Sequence, residues 1–539
     1  MRNQIGKIVK IKGWILFSAL VFLLTSSINS QELCTKPVKT NYGLVKGTIE
    51  AESKTCVWKG IPYAEPPLGE LRWKAPKPPS KWDGVKETKE FGSPCFQYGG
   101  MMAIMDCEKI GDLIGSEDCL SLNIWRPITN EQNLPVFFWI HGGGNFVGQS
   151  AMSLYYGGNF AFKNNMVFVS INYRLGPMGW FNHPALKTGD QLDDSGNYAV
   201  LDIIQALRWV KENIAYFGGD PNNVTIAGES AGAGNVYTLV SSPLAKGLFQ
   251  KAIAQSGAPQ AGSKEKAEEH AQSILYKLVI KDGLAKDEKE AEKLITQKDN
   301  QWIANYLRGK SAEEIYLAYE TGIFGRLKGF RGTFVDGVVL VESPKQSLEK
   351  GNYNQVPFLV GSNQEELKLF LPLLIGKLDE KGLCQLDKEV DPNNMKIKLT
   401  EYVSPLYLPI YSALSYLGSK GFQKMGVDIP ADLMSNYQKE IYAYRFEWKQ
   451  EPEPADFVFG AAHAMEIPFV FGNFQMDKDS ALRFAWSEAN KPGREELSNR
   501  MSTYWANFAK TGNPNGPGLP EWKAWSQEPG KNRMIFDVK

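Results

Sequence analysis

Gly228-Glu229-Ser230-Ala231-Gly232 is a GxSxG pentapeptide, a setting in which a serine hydroxyl can act as a nucleophile. In a chain with 51 glycines the pattern alone carries little. Its surroundings carry more. The apolar run Val224-Thr225-Ile226-Ala227 precedes it, and the small residues Ala233-Gly234-Asn235-Val236 follow. This order predicts a strand, a sharp turn and a helix, with the serine presented at the turn. Glycines two positions to either side leave room for the helix to pack close to the strand. The alternative is a Gly-rich helix start with a capping serine.

A serine hydroxyl is a poor nucleophile without a base. The chain offers four histidines. His270 lies in the charged stretch Glu268-Glu269-His270-Ala271 and reads as a solvated helix residue. His183 precedes Pro184 and reads as a structural loop residue. His141 opens His141-Gly142-Gly143-Gly144, whose backbone N–H groups suit a developing oxyanion. His463 sits late, in Gly460-Ala461-Ala462-His463-Ala464-Met465-Glu466, where small neighbours let the ring reach into a site. A late histidine fits the chain order of serine, acid, then histidine. Without such a constellation it would be a satisfied core histidine. The acid belongs between them, just after a strand. Val360-Gly361-Ser362-Asn363-Gln364-Glu365-Glu366 offers two carboxylates there. One would fix the imidazole tautomer and stabilise the imidazolium; the other reading makes both surface loop charges.

Several elements must position these groups. Pro135-Val136-Phe137-Phe138-Trp139-Ile140 and Met166-Val167-Phe168-Val169-Ser170-Ile171 are continuous apolar runs, as are residues 224–227, 252–254 and 356–360. Runs of this kind suit strands covered on both faces. Residues 201–217 repeat apolar side chains at helical spacing until Gly218-Gly219. Strand, helix, strand in series predicts an α/β fold with a mostly parallel sheet and crossover helices. The early segments Tyr42-Gly43-Leu44-Val45-Lys46-Gly47 and Cys56-Val57-Trp58-Lys59-Gly60-Ile61 read as short antiparallel strands. Residues 264–310 and 377–451 read as helical insertions over the sheet.

Composition limits the function classes. With 12% aromatic residues the 539-residue chain has too much apolar surface to stay disordered. Its 60 basic and 60 acidic residues argue against a dedicated nucleic-acid binder, which carries a basic excess. Arg2, Lys7, Lys10 and Lys12 precede an apolar run over residues 14–24 and then Thr25-Ser26-Ser27-Ile28-Asn29-Ser30. That is the order of a signal peptide over residues 1–30, leaving one catalytic domain over 31–539 that is secreted or periplasmic, with no stable membrane span after cleavage. The alternative is an uncleaved anchor, although the run is short for a span. Six cysteines in such a chain favour disulfides. With no CxxC pair and four histidines, a metal site is not expected.

With these residues in view, the chain resembles the type-B carboxylesterases of the cholinesterase/lipase family, which have the α/β-hydrolase fold. The likeness runs through Gly60-Ile61-Pro62-Tyr63-Ala64, Pro66-Pro67-Leu68-Gly69 and Ser116-Glu117-Asp118-Cys119-Leu120-Ser121-Leu122-Asn123-Ile124-Trp125. It continues through the His141 motif, Asn172-Tyr173-Arg174-Leu175-Gly176 and Phe217-Gly218-Gly219-Asp220-Pro221 to the Ser230 pentapeptide. Glu466-Ile467-Pro468-Phe469-Val470-Phe471-Gly472 and Trp505-Ala506-Asn507-Phe508-Ala509-Lys510-Thr511-Gly512-Asn513-Pro514 close the series.

The resemblance implies Ser230 as nucleophile, Glu366 as acid and His463 as base, with an oxyanion hole from the N–H groups of Gly143, Gly144 and Ala231. It implies hydrolysis of a small-molecule ester through an acyl-serine, without cofactor or metal. It pairs Cys95 with Cys119, Arg72 with Glu117, and Arg174 with Asp202. Cys34 and Cys56 flank a strand hairpin and are available to pair, which leaves Cys107 and Cys384 paired or free. The family's acid is usually followed by glycine; here Leu367 follows Glu366, which suggests a tighter turn. Two other readings stand beside a general esterase. One is an interfacial lipase with the Cys95–Cys119 loop as lid; the loop's Met101-Met102-Ala103-Ile104-Met105 serves equally as pocket lining. The other is a non-catalytic adhesion-type member, which the intact triad argues against. The loop contains no Trp, so neutral groups are expected in preference to choline.

Overall fold

The computed structural model describes residues 32–104, 106–330, 332–475, 482–526 and 532–538. Residues 1–30, read as a signal peptide, and Met105 lie outside the described residues. The central sheet is built from β1 (Thr48–Glu50), β2 (Thr55–Pro62), β3 (Ser121–Pro127), β4 (Leu134–Ile140) and β5 (Val167–Ile171). It continues with β6 (Gly219–Glu229), β7 (Lys251–Gln255), β8 (Phe358–Asn363), β9 (Ile441–Phe446) and β10 (Arg533–Phe536). The spatial order is β10-β9-β8-β7-β6-β4-β5-β3-β2-β1. Pairing is parallel from β5 to β10 and antiparallel among β1, β2, β3 and β5. This is the mostly parallel α/β sheet that the alternating runs predict.

The apolar runs form strands because both faces of the sheet are covered. Along β4, Val136, Phe138 and Ile140 join a core with Ile203, Ile204 and Leu207 of helix α1 (Tyr198–Asn213). Phe137 and Trp139 point the other way, into a second core with Phe471 and Trp505. Alternation along a strand therefore sends each residue to one of two cores. The predicted helix over 201–217 ends as α1, followed by a 3-10 turn, Ile214–Phe217. Gly218 at φ 79° then stops it, a left-handed position that favours glycine.

The early strands form, but only in part as the antiparallel set expected, because Leu44–Lys46 pairs antiparallel with Val38–Lys39 and parallel with Val85–Glu87. β1 and β2 pair antiparallel, and Leu44–Lys46 joins a small separate sheet. Residues 264–310 are helical, with Lys264–Lys281, Glu288–Ile295 and Asn300–Gly309. Residues 377–451 are helical only in part. They hold α3 (Glu380–Glu389) and α4 (Leu408–Gln423), but their end is β9, an inner strand between β8 and β10. Ile441-Tyr442-Ala443-Tyr444-Arg445-Phe446 is nearly all buried and rich in aromatics, which a helical reading of the whole stretch overlooked.

The two predicted ion pairs are present. The Arg174 guanidinium spans the Asp202 carboxylate at 2.8 and 2.7 Å, fully buried. Arg72 engages Glu117 through Nε at 2.7 Å and through Nη2. Three disulfides join Cys34 to Cys56, Cys95 to Cys119 and Cys107 to Cys384. The last bridges 277 residues and ties the Cys95–Cys119 loop to α3. Glu380 of the same helix accepts from Met101 N at 2.7 Å and from Phe324 N at 2.9 Å. Peptide mapping without reduction is expected to recover the Cys95–Cys119 and Cys107–Cys384 links. A peptide joining Cys95 to Cys107 would contradict this pairing. Cys384→Ser is expected to cost about 2–4 kcal/mol of stability.

Candidate active site

Ser230 stands between β6 and helix α2 (Ala231–Ser241), at φ 58° and ψ −121°. Such a backbone is strained for a non-glycine residue and must be held by its surroundings. Ser230 N donates to Gln255 O of β7 at 2.9 Å, and Gly234 N donates to Ser230 O at 3.0 Å. A side chain at Gly232 would collide with the carbonyl oxygen of Ile140, and one at Gly228 with the Gly232 backbone. The two glycines of the pentapeptide thus let α2 start directly against β4 and β6. The tight elbow expected from the sequence is present.

His463 follows Val458 and Phe459 in a turn before the short helix Ile467–Phe471, and it is buried. Its Nδ1 lies 2.5 Å from Glu366 Oε2. The other oxygen of Glu366 accepts from Ser256 Oγ at 2.7 Å and from Asn363 N at 2.7 Å. Glu365, one residue earlier, faces away and meets Lys368 Nζ at 3.0 Å and Lys449 Nζ at 3.3 Å. Geometry therefore separates two carboxylates that the residue types left equivalent.

The departure from the family's Glu-Gly is accommodated without distortion. Glu366–Leu369 is a 3-10 turn with no left-handed residue, so glycine is not required after the acid. Gly418 on α4 sits opposite, where a side chain would collide with Leu367. Leu367 N also donates to Ser419 Oγ at 3.3 Å.

Two glutamates, Glu229 and Glu366, crowd the imidazole, and Glu466 lies within their field. His463 Nε2 lies 3.0 Å from Glu229 Oε1. No hydrogen bond joins His463 Nε2 to Ser230 Oγ; Nε2 is occupied by Glu229. Burial disfavours the imidazolium, yet the charges of Glu229 and Glu366 outweigh it and hold the His463 pKa well above 6.5. Burial, and then the charges of Glu229 and Glu366, push Glu466 up to about 8. Glu466 accepts from Gln255 Nε2 at 3.0 Å and Asn363 Nδ2 at 2.6 Å. Trp505 Nε1 in turn donates to Gln255 Oε1 at 2.9 Å. This supporting set of Ser256, Asn363, Gln255 and Glu466 was missed in the sequence. Its one available signal was that polar residues end the apolar runs of β7 and β8.

Gly143 and Gly144 adopt φ 96° and 63° in the loop after β4. Phe146 N and Val147 N both donate to Gly143 O, at 3.1 and 3.0 Å, which fixes the loop. No acceptor among the described residues takes the N–H of Gly143 or Gly144. These glycines, Ser230 and Ala231 line one open cavity. His463 and Glu229 line a second, more enclosed and mostly apolar cavity. Met102 and Phe324 line both and form the partition.

The remaining histidines lie apart from this pair. His183 caps a short turn, accepting from Ala185 N at 3.1 Å, and its Nε2 meets Gln272 Oε1 at 3.0 Å. His270 is half-buried beside Tyr319, at 5.3 Å between rings, and not solvated as its charged neighbours suggested. His141 stacks on Tyr173 at 4.5 Å, and burial lowers its pKa to about 4, so it is neutral. No cluster of metal-ligating side chains occurs among the described residues.

A parallel sheet with a serine on the turn between strand and helix, and a carboxylate-bound histidine beyond a later strand, defines an α/β-hydrolase. Comparison with known proteins narrows this. The model of the carboxylesterase family matches residues 35–536. The chain is 35% identical to the para-nitrobenzyl esterase of Bacillus subtilis, over 93% of this chain and 94% of the relative. It is 34% identical to the human cocaine esterase, over 91% and 86%. Among solved structures, a PNB esterase superposes with a TM-score of 0.69 at 32% identity, covering 93% of this chain and 96% of that one. A carboxylesterase of Geobacillus stearothermophilus gives the same TM-score, identity and coverage. The chain belongs to the carboxylesterase family, and as a member it is a serine hydrolase acting on carboxylic esters.

Proposed function

We propose that this enzyme hydrolyses small carboxylic esters through an acyl-enzyme on Ser230, with His463 as general base and Glu366 as its orienting carboxylate. One observation carries the reading: the Glu366 carboxylate meets His463 Nδ1 at 2.5 Å, which assigns proton transfer to Nε2, the nitrogen that lies 3.0 Å from Glu229 Oε1. Ser230 Oγ attacks the ester carbonyl and His463 takes its proton. The carbonyl oxygen becomes an oxyanion facing the N–H groups of Gly143, Gly144 and Ala231, which line the same cavity as Ser230. Collapse expels the alcohol, which leaves with the proton from His463. Water then repeats the sequence on the acyl-serine and releases the acid. No step calls on a cofactor. Mass spectrometry after an organophosphate is expected to find the adduct on Ser230; an adduct elsewhere with full loss of activity would reject the assignment.

Glu229 gives the reading a pH signature. Its charge favours protonated His463, which cannot accept a proton from Ser230. Removing that charge in Glu229→Gln lowers the His463 pKa, so the base form persists to lower pH. The acid limb of kcat/KM is therefore expected to move to lower pH in the variant. An unmoved or upward-shifted limb would contradict it.

The Cys95–Cys119 loop is built as a fixed wall of the cavity and not as a lid. Met101 and Met102 line the enclosed cavity, and two disulfides and Glu380 hold their loop in place. Residues 31–539 are proposed to act as one catalytic domain, exported after removal of residues 1–30. All cysteines described are in disulfides, and no described helix is long and apolar enough to cross a membrane; the first supports an oxidising compartment. N-terminal sequencing of the mature protein tests this.

A further inference from the structure

The enclosed cavity contains a buried acid that the mechanism above does not use. Asp387, on α3, lines it and is only 6% exposed. Its Oδ1 accepts from Phe484 N at 3.1 Å, and no donor among the described residues reaches Oδ2. The nearby Arg483 guanidinium is directed to backbone carbonyls, those of Asp387 at 3.0 Å and Lys388 at 3.3 Å, and not to the carboxylate. Burial pushes the Asp387 pKa up to about 6, which the Phe484 N–H and the charges of Arg483 and Lys388 only partly offset. It is therefore still ionised at neutral pH.

Three aromatic residues line the cavity together with this carboxylate. Tyr402, Phe459 and Phe484 line the same cavity, with Phe459 4.5 Å from Phe484 and 5.8 Å from Tyr402 between ring centroids. The charge of Asp387 also raises the Tyr402 pKa, second to burial, which places the phenol within its field. A carboxylate oxygen without a hydrogen-bond donor among the described residues, in a mostly apolar cavity and only partly offset by Arg483 and Lys388, is poorly solvated, and a bound cation with an N–H would complete it. The helix that carries it is pinned by Cys107–Cys384 and by Glu380, so the group is held in position.

The cavity lies on the His463 side of the partition, the side on which the departing alcohol must receive its proton. We infer that this cavity binds the alcohol portion of esters bearing a protonated primary, secondary or tertiary amine, with Asp387 Oδ2 accepting its N–H between the rings of Tyr402, Phe459 and Phe484. This rests on the proposed roles of Ser230 and His463. It differs from a choline site, because a quaternary ammonium has no N–H to donate. The sequence-based expectation of neutral groups followed from the Trp-free loop, whereas these three rings come from outside that loop.

The experiment compares kcat/KM for two esters of one acyl group at a pH of about 8, where amine and Asp387 are both charged. One alcohol ends in an amine and the other in an isosteric neutral alkyl group. The wild-type enzyme is expected to favour the amine ester by about ten- to a hundredfold, the scale of a buried charge-assisted hydrogen bond. Asp387→Asn, which keeps an acceptor for Phe484 N–H, is expected to bring the ratio near one. Parity in the wild type, or a preference that survives in Asp387→Asn, would overturn the inference. Competitive inhibition of the wild type by an alkylamine and by its isosteric alcohol tests the same contact without a variant: the amine is expected to inhibit more tightly, and equal inhibition constants also overturn the inference. If the neutral ester is hydrolysed and Ser230 is labelled but the amine preference is absent, the pocket assignment alone fails. If neither ester is hydrolysed, the catalytic reading fails and this one falls with it.

Discussion

Ser230→Ala is expected to lower kcat for any ester substrate by about five to six powers of ten, the scale seen when a triad nucleophile is removed. The nucleophile is the atom that bonds to the acyl carbon, so nothing else in the site replaces it. What remains is the oxyanion cavity and substrate binding, which still accelerate the reaction by about three to four powers of ten over water. The substitution is a clean one for the fold. Ser230 already holds φ 58°, and its backbone bonds to Gln255 O and from Gly234 N do not involve the hydroxyl. Ala adds no atom at the elbow, so circular dichroism and thermal melting are expected to match the wild type. Undiminished hydrolysis by a folded variant would remove Ser230 from the mechanism.

The second large effect separates two adjacent glutamates. Glu366→Gln is expected to cost about two to four powers of ten in kcat, and Glu365→Gln less than about threefold. The amide is nearly isosteric but loses the charge that stabilises the imidazolium. It also presents an ambiguous partner to His463 Nδ1, allowing the wrong tautomer. Glu366 is fully buried and accepts from Ser256, Asn363 and His463, so its replacement disturbs the network at the reacting atoms. Glu365 contacts only Lys368 and Lys449 among charged partners, outside both cavities. Steady-state kinetics on both variants decides; the reverse ranking would transfer the acid role to Glu365.

The sheet was legible because burial on both faces leaves continuous apolar runs, which is how β4, β5 and the core of β6 announced themselves. The elbow was legible for a steric reason: only glycine at 228 and 232 permits the approach to Ile140. β9 was not, because its alternating aromatics follow directly on helical residues and only its neighbours β8 and β10 make it a strand. Chain order ranked His463 above the other histidines, whereas the choice of Glu366 over Glu365 depends on which side chain the turn after β8 directs inward. Cys107 and Cys384 could be assigned only once folding brought them together across 277 residues. The charge state around His463 and the acid in the enclosed cavity belong to the same class. Glu229, Glu366 and Glu466 lie up to 237 residues apart by their numbering, and Asp387 meets Phe459 and Phe484 from another segment of the chain. Local sequence records backbone sterics and which faces are buried. Electrostatic coupling depends on distances through space between groups remote along the chain, and only the tertiary structure sets those distances.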